Sequence, residues 1–229
     1  MASDGALQFS AGKFSDYISK YREMGFPAVS HSDRYRVVDA RLARIFPLVC
    51  MVDELMKNSG RPFVLAIDGR AASGKTTAAA DIAEFFGDTE IVHMDDFFLP
   101  GELRTKERLS EEGGNLHRER FINEVVSHIR DGGFDYRVFD CGTFDYKKEP
   151  RHIDECSLII CEGAYSLHPA FGKYYDLAAF SDVDPKEQRA RILRRNGKEM
   201  LERFESRWIP MEEKYFDTFG TRGSCDITI

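Results

Sequence analysis

The sequence predicts an α/β fold in which helices cover both faces of a parallel sheet. From residue 62 onwards, apolar runs of strand length alternate with longer amphipathic runs, a pattern typical of βαβ units. A glycine-rich segment with one lysine stands between the first apolar run and the first amphipathic run. Hydrophobic residues make up 42% of the 229 residues, which is enough for one substantial core.

The beginning of the chain contains no chemical motif, and we expect residues 1–60 to form a mainly helical N-terminal extension. Apolar residues recur there near helical spacing, at Val38, Leu42, Ile45, Val49 and Val52. Pro47 interrupts this pattern, and we expect it to kink or restart the helix. Residues 61–229 are predicted to form the main domain.

Four apolar segments of the main domain are predicted to be strands, and a short fifth one ends the chain. They read, in order, "PFVLAID", "EIVHM", "CSLIIC", "DLAAFSDV" and "CDITI". Residues 75–86 are predicted to form a helix that ends at Gly87, because Ala78, Ile82 and Phe85 share one face. Another helix is expected around residues 122–129, before "DGG".

The segment "GRAASGKT", from Gly69 to Thr76, matches the pattern GxxxxGK[ST] between a predicted strand and a predicted helix. Backbone N–H groups can wrap a phosphate only where side chains are small, and the following helix directs its N-terminus at the same anion. In such a loop the lysine contacts the β- and γ-phosphates and the threonine hydroxyl binds Mg²⁺. The alternative is a glycine-rich turn with a surface lysine. We predict a P-loop NTPase-type three-layer αβα fold whose phosphate cradle comprises Gly69, Arg70, Ala71, Ala72, Ser73, Gly74, Lys75, Thr76 and Thr77.

Acidic residues follow two other predicted strands. Asp95 and Asp96 come after "EIVHM", and Glu162 comes after "CSLIIC". Ligands of parallel sheets bind beyond the carboxyl ends of the strands, so these acids are expected near the phosphate loop. We predict that Thr76 and Glu162 bind the metal and that Asp95 is the base for an acceptor hydroxyl. The alternatives are an exposed strand-end carboxylate for Glu162 and a turn cap for the acid pair.

A cationic helix face is predicted late in the chain, within a lid at about residues 184–200. Its members recur at helical spacing: Arg191, Arg194, Arg195 and Lys198. We predict a lid that closes arginines over phosphoryl oxygens and excludes water. A solvated face paired with Glu187, Glu199 and Glu202 is the alternative, and RNA contact is a third.

Composition argues against several other classes. The net charge of −7 disfavours a general binder of nucleic acid or of an anionic membrane. No apolar run is long enough to span a bilayer, and the N-terminus does not resemble a secretory signal. The five cysteines show no metal-ligand spacing, so we expect reduced thiols in a cytoplasmic protein. The sequence leaves open whether the protein forms a homo-oligomer.

Five segments, in this order and spacing, resemble the uridine kinase and phosphoribulokinase group of P-loop kinases. They read "DGRAASGKTT", "VHMDDFFLP", "GGNLHRERFINEVV", "IICEGAYSLHP" and "RILRRNGKEMLERFESRWIPMEEKYF". The resemblance covers roughly residues 62–229. It implies ATP-dependent phosphorylation of a hydroxyl on a small molecule with Mg²⁺, where the acceptor is a nucleoside or a related sugar- or pantothenate-type compound. It also implies that Asp95 is both the base and a magnesium neighbour, so that the metal site comprises Thr76, Asp95 and Glu162. It further implies that the lid arginines acting in catalysis are Arg191 and Arg195.

Two positions depart from the uridine kinase pattern. Phe98 stands where these kinases usually carry a tyrosine, and His117 stands about where relatives often carry an acid for sugar hydroxyls. A histidine cannot accept two hydroxyl hydrogen bonds as a carboxylate does, so the nucleoside assignment stays open. The residues predicted to contact the acceptor are Phe98, His117, Tyr136, Arg137 and His168. For His117 a helix start, and for His168 loop packing, are the alternatives.

Two other functions were weighed against a kinase. One is a nucleotide-dependent ATPase or switch that acts on a protein partner, but neither an N-K-x-D segment nor an LSGGQ-type signature occurs. The other is a degenerate kinase fold kept as a binding module. Retention of Lys75, Thr76, Asp95 and Glu162 together speaks against a degenerate fold.

Overall fold

The computed structural model describes residues 39–59 and 62–229, which form a five-stranded sheet between two layers of helices. The strands of this sheet are β1 (Phe63–Gly69), β2 (Thr89–His93), β7 (Leu158–Glu162), β8 (Leu177–Ser181) and β9 (Ile227–Thr228). All four pairings are parallel, in the order β2-β7-β1-β8-β9. The predicted parallel three-layer fold is confirmed.

The helices run α1 (Ala40–Met56), α2 (Lys75–Phe86), α3 (Lys106–Ser110), α4 (Arg118–Phe121), α5 (Pro185–Arg203), α6 (Ile209–Phe219) and α7 (Thr221–Ser224). A π-helical turn, Ile122–Val126, continues α4 where the sequence predicts a longer regular helix, and another, Phe204–Trp208, joins α5 to α6. Helix α2 ends before Gly87, as predicted, because this glycine adopts a φ of 80°. In the described part of the chain, no helix combines the length and apolarity needed to cross a bilayer.

Alternate residues of β1 enter two different cores. Leu65 and Ile67 pack with α1 and α2, whereas Val64 and Ala66 pack with the aromatic residues on the other face. Every residue of β1 is buried, since this strand lies at the centre of a sheet that is covered on both faces. The carboxyl ends of β1, β2 and β7 therefore meet at one edge.

Helix α1 lies within the predicted N-terminal extension and packs on the sheet. Ile45, Leu48, Val49 and Val52 are buried in the same core as β1 and α2. The helix does not restart at Pro47, because α1 is continuous from Ala40 to Met56. Pro47 is exposed, so water can solvate the carbonyl group that its missing N–H leaves free. Val38 and the rest of residues 1–38 lie outside the described residues.

Two small antiparallel hairpins, absent from the sequence prediction, stand beside the sheet. One pairs β3 (Phe134–Tyr136) with β6 (Arg151–Ile153), and the other pairs β4 (Phe139–Asp140) with β5 (Asp145–Tyr146). Strands of two or three residues are too short for period-two alternation to be recognised in the sequence. These hairpins carry Tyr136 and flank Arg137, two of the residues predicted to contact an acceptor.

Candidate active site

The phosphate loop joins β1 to α2 and approaches the next strand closely. A Cβ atom at Gly69 would lie 2.1 Å from the carbonyl oxygen of Ser181, and the φ of Gly69 is 134°. Gly74 has a φ of 102° and Ala72 a φ of 57°. The loop is therefore built from left-handed backbone, which explains the small side chains seen in the sequence.

Lys75 begins α2, and its side chain folds over the loop. Its Nζ atom donates hydrogen bonds to the carbonyl oxygens of Gly69 and Arg70, each at 2.8 Å. The residue is 9% exposed, so its positive charge is held within the loop. Thr76 and Thr77 follow in the first turn of α2, and both are exposed.

Glu162 connects three elements at the carboxyl edge of the sheet. Its backbone pairs in register with Ile67 of β1 and His93 of β2. Its Oε1 atom accepts a hydrogen bond from the Thr76 hydroxyl at 3.0 Å and lies 2.6 Å from Nδ1 of His93. That hydrogen bond raises the pKa of His93. Sequence reasoning missed His93, although its place two residues before Asp95 is a usable signal.

Asp95 follows β2, in a short 3₁₀ helix, and its side chain reaches solvent. Desolvation by the surrounding protein and repulsion from the Glu162 carboxylate raise the pKa of Asp95, whereas the charge of Lys75 lowers it. Both charges act on Asp95. The predicted base, Asp95, therefore shares one electrostatic environment with Glu162 and Lys75. A raised pKa favours proton acceptance near neutral pH.

The set of oxygen ligands around Thr76 fits Mg²⁺. This ion typically takes one or two carboxylates and completes its shell with phosphate oxygens and water. The Thr76 hydroxyl and the Glu162 carboxylate supply protein oxygens at one point. Across residues 39–59 and 62–229, no group of three or more His, Cys, Asp or Glu side chains forms a metal cluster of its own. A magnesium ion would therefore depend on the nucleotide for its remaining ligands.

The predicted lid arginines differ in what they contact. Arg191 pairs with Glu187 at 2.8 Å, and its Nη1 atom donates to the carbonyl oxygens of Ala72 and Ser73 at 3.2 and 3.3 Å. Arg195 is exposed and donates to the side chain of Asn196. Within α5, Gly197 has non-helical angles, φ 80° and ψ 175°, so the helix is kinked near its middle.

The two histidines predicted to contact the acceptor make local contacts of the kind that the alternative interpretations predict. These were a helix start for His117 and loop packing for His168. His117 precedes α4, and its Nδ1 atom accepts from the N–H of Arg120 at 3.4 Å. His168 is 5% exposed, stacks on Tyr215 with an interplanar angle of 7°, and accepts from the N–H of Ala170 at 3.1 Å. Burial lowers the pKa of both histidines. Both are engaged in local structure.

The remaining predicted acceptor residues lie on the two hairpins or pack against them. Tyr136 is 1% exposed, and its hydroxyl donates to Asp96 at 2.9 Å, so the second acid of the Asp95–Asp96 pair anchors a hairpin. Arg137 is exposed, pairs with Glu124 and lies over the ring of Tyr146. Phe98 is half-buried against Phe139. Of these three, Phe98 and Arg137 are accessible.

Two side chains of helix α6, one turn apart, support the phosphate loop and the strand before it. Sequence reasoning missed both contacts. Glu212 accepts from the N–H of Ala71 at 2.8 Å. The Tyr215 hydroxyl donates to Asp68 at 2.9 Å. Asp68 is fully buried and also accepts from the N–H groups of Gly69, Tyr165 and Leu167. The sequence signal that could have revealed this contact is Asp68 itself, a carboxylate within a predicted strand that is otherwise hydrophobic.

Arg70, in the loop, also forms ion pairs with side chains outside it. Its guanidinium makes a bidentate pair with Glu213 at 2.6 and 2.8 Å and contacts Asp182 at 2.6 Å. A hydrogen bond from this guanidinium to Glu213 raises the pKa of Arg70. The predicted cradle residue Arg70 is thus held by two carboxylates in this structure.

Comparison with known proteins first gives the class. A candidate fructose transport system kinase from Silicibacter sp. superposes with a TM-score of 0.65 at 19% identity, covering 80% of this chain and 98% of that protein. A candidate uridine kinase from Bacillus stearothermophilus gives 0.60 at 18%, with 80% and 99% coverage. A D-glycerate 3-kinase from Cryptococcus neoformans gives 0.57 at 15%, with 77% and 88% coverage. These likenesses show that the chain shares its fold with the three structures.

Sequence comparison finds relatives that are named uridine kinases. A chloroplastic uridine/cytidine kinase of Arabidopsis thaliana is 28% identical over 144 residues, 59% of this chain but only 30% of that protein's length. A uridine kinase of Geobacillus sp. is 29% identical over 153 residues, covering 62% of this chain and 70% of that protein. No family model matches the chain. The chain is therefore similar in sequence to uridine kinases and similar in fold to the kinase structures above.

Proposed function

We propose that this protein is an ATP-dependent kinase that transfers the γ-phosphoryl group to a hydroxyl of a small molecule. The observation that carries the proposal is the meeting of Thr76, Glu162 and His93 at the mouth of the loop that holds Lys75. A backbone cradle, a cation and metal-binding oxygens are the parts that phosphoryl transfer requires.

The loop and its lysine would hold and orient the nucleotide. N–H groups at the N-terminus of α2 point towards the loop, where a phosphate would benefit from the helix dipole. Lys75 would exchange its two carbonyl contacts for phosphate oxygens, which are stronger, charged acceptors. Bound Mg²⁺, held by Thr76 and Glu162, would supply charge neutralisation. Arg191 and Arg195 would bring further positive charge when the lid closes.

Asp95 would accept the proton of the acceptor hydroxyl. Its raised pKa and its place within the fields of Glu162 and Lys75 suit this role. We propose a nucleoside of the uridine type, or a related sugar- or pantothenate-type compound, as the acceptor. The names of the sequence relatives support a nucleoside, and Phe98 and Arg137 are the accessible candidates to contact it.

The acceptor is tested by following ADP release with ATP, Mg²⁺ and a panel of hydroxyl compounds. The panel should contain uridine, cytidine, fructose, glycerate and pantothenate. A kinase releases ADP only when its acceptor is present. Hydrolysis that ignores every acceptor but responds to a protein partner would instead identify a nucleotide-dependent switch.

Asp95→Asn tests the proposed base. We expect turnover to fall by about 10²–10⁴-fold, because the amide cannot accept the hydroxyl proton, while ATP affinity is kept. Full turnover in this variant would exclude Asp95 as the base.

A further inference from the structure

Helix α1 supplies a side chain that reaches the phosphate loop. Arg44 is half-buried, and its Nη1 atom donates to the carbonyl oxygen of Ser73 at 2.8 Å. Its Nη2 atom donates to Ser181 Oγ at 2.8 Å and to the carbonyl oxygens of Asp182 and Ile229 at 3.2 and 3.0 Å. One planar guanidinium therefore ties the loop to the ends of β8 and β9.

The Ser73 carbonyl belongs to the peptide that carries the N–H of Gly74, the last residue before α2. The peptide is planar and trans, so this N–H points away from the carbonyl oxygen and away from Arg44. Gly74 has a φ of 102°, and a Cβ atom here would lie 3.2 Å from Nη1 of Arg44. The guanidinium thus fills the space behind the loop and fixes the direction of an amide donor in front of it.

We propose that Arg44 is a positioning residue for the nucleotide: it holds the Ser73–Gly74 peptide so that its N–H faces the bound polyphosphate. This inference rests on the proposed function, because it presupposes a nucleotide in the loop. It also gives the N-terminal segment a role, since α1 becomes part of the nucleotide-binding machinery. Arg44 would touch neither the phosphates nor the acceptor.

The position of α1 supports this role. Ile45, Leu48 and Val49, close to Arg44 in sequence, are buried against the sheet, so the guanidinium is presented by a docked helix. Arg191 of the lid helix donates to the same Ser73 carbonyl at 3.3 Å. The charge of Arg191 lowers the pKa of Arg44 after the larger effect of burial, and Asp182 opposes both. If the lid arginine leaves this carbonyl, Arg44 still holds it.

The test compares Arg44→Gln with Arg44→Lys and with a matched control, Arg41→Gln, in the full chain. Arg41 lies one turn earlier on α1 and pairs with Asp81 at 3.1 Å instead of contacting the loop. Calorimetric dissociation constants are measured for ATP with Mg²⁺ and for tripolyphosphate. We expect Arg44→Gln to weaken both by about tenfold, about 1.4 kcal/mol, Arg44→Lys to weaken them less, and Arg41→Gln to leave them unchanged.

Two further readouts separate positioning from simple destabilisation. The KM for ATP should rise in Arg44→Gln by about the same tenfold factor as the dissociation constant, and Arg44→Lys should restore part of the loss. A protein that is merely destabilised would instead lose folded active sites and leave the KM for ATP unchanged. Thermal unfolding should show that each variant is folded at the assay temperature. Wild-type affinities in a folded Arg44→Gln protein would overturn the proposal, as would equal weakening in Arg41→Gln. A wild-type protein that binds no ATP would overturn the proposed function itself, and this inference with it.

Discussion

Glu212 is a buried carboxyl group whose ionisation is linked to the phosphate loop. It is 7% exposed, and it accepts a hydrogen bond from the N–H of Ala71. Burial raises the pKa of Glu212 to about 7, while the charge of Lys75 opposes this shift. Glu213, its neighbour, and Asp68, in the adjoining strand end, add repulsion. The loop between β1 and α2 is therefore braced by an acid that is partly protonated at neutral pH.

The raised pKa of Glu212 predicts how stability depends on pH. Between the ordinary glutamate pKa of 4.5 and about 7, the folded protein keeps a proton that the unfolded chain releases, so the stabilisation falls as pH rises. We expect the free energy of unfolding of the wild type, relative to Glu212→Gln, to decrease by about 2 kcal/mol between pH 5.5 and 7.5. Urea unfolding at several pH values measures this difference. Parallel curves for the two proteins would contradict the shift.

The β1–α2 connection shows what the sequence can specify at the scale of an element. Its glycines, lysine and threonine predict a phosphate-binding loop between a strand and a helix, because each of these residues acts within the loop segment itself. The bracing of this loop by Arg44, Glu212 and Tyr215 could not be predicted in the same way. Those residues come from elements 25 or more positions away, and only the packed fold brings their side chains to the loop.

Gly69→Ala tests the close approach of the loop to β8. The added methyl group would lie 2.1 Å from the Ser181 carbonyl oxygen, in a backbone conformation that alanine rarely adopts. We expect a loss of about 3 kcal/mol or more in the free energy of unfolding, measured by urea titration.

Gly101→Ala is the matched control, because no atom lies within 4 Å of its added Cβ. Its free energy of unfolding should stay within about 0.5 kcal/mol of the wild type. If both glycine variants were equally stable, the loop would not be packed against β8 as described.

At the scale of the whole molecule, one sheet organises the core and the site together. Apolar runs of strand length predict the parallel strands, and the acids just after β2 and at the end of β7 predict the edge that carries the candidate site. The two hairpins and the π-helical turns escaped prediction, because they are too short for a hydrophobic period. The docking of α1 escaped too, since helical spacing shows an apolar face but not the surface that covers it.

Leu48→Ala tests whether α1 is part of this single core. Leu48 is fully buried against the sheet, so its truncation should reduce the free energy of unfolding by about 2–5 kcal/mol. Phe46→Ala is the control on the same helix, because the Phe46 side chain is 47% exposed, and we expect a loss below about 1 kcal/mol. A Leu48→Ala protein as stable as the wild type would show that α1 does not pack there.

The central claim is that the loop between β1 and α2 binds the polyphosphate of a nucleotide, with Glu162, at the end of β7, and Asp95, just after β2, at the same edge of the sheet. Calorimetric titration of ATP with Mg²⁺ into the wild type, Lys75→Ala and Asp95→Asn tests it most directly. We expect the wild type and Asp95→Asn to bind with similar affinity and Lys75→Ala to bind at least on the order of tenfold more weakly. No binding by the wild type, or unchanged binding by Lys75→Ala, would contradict the claim.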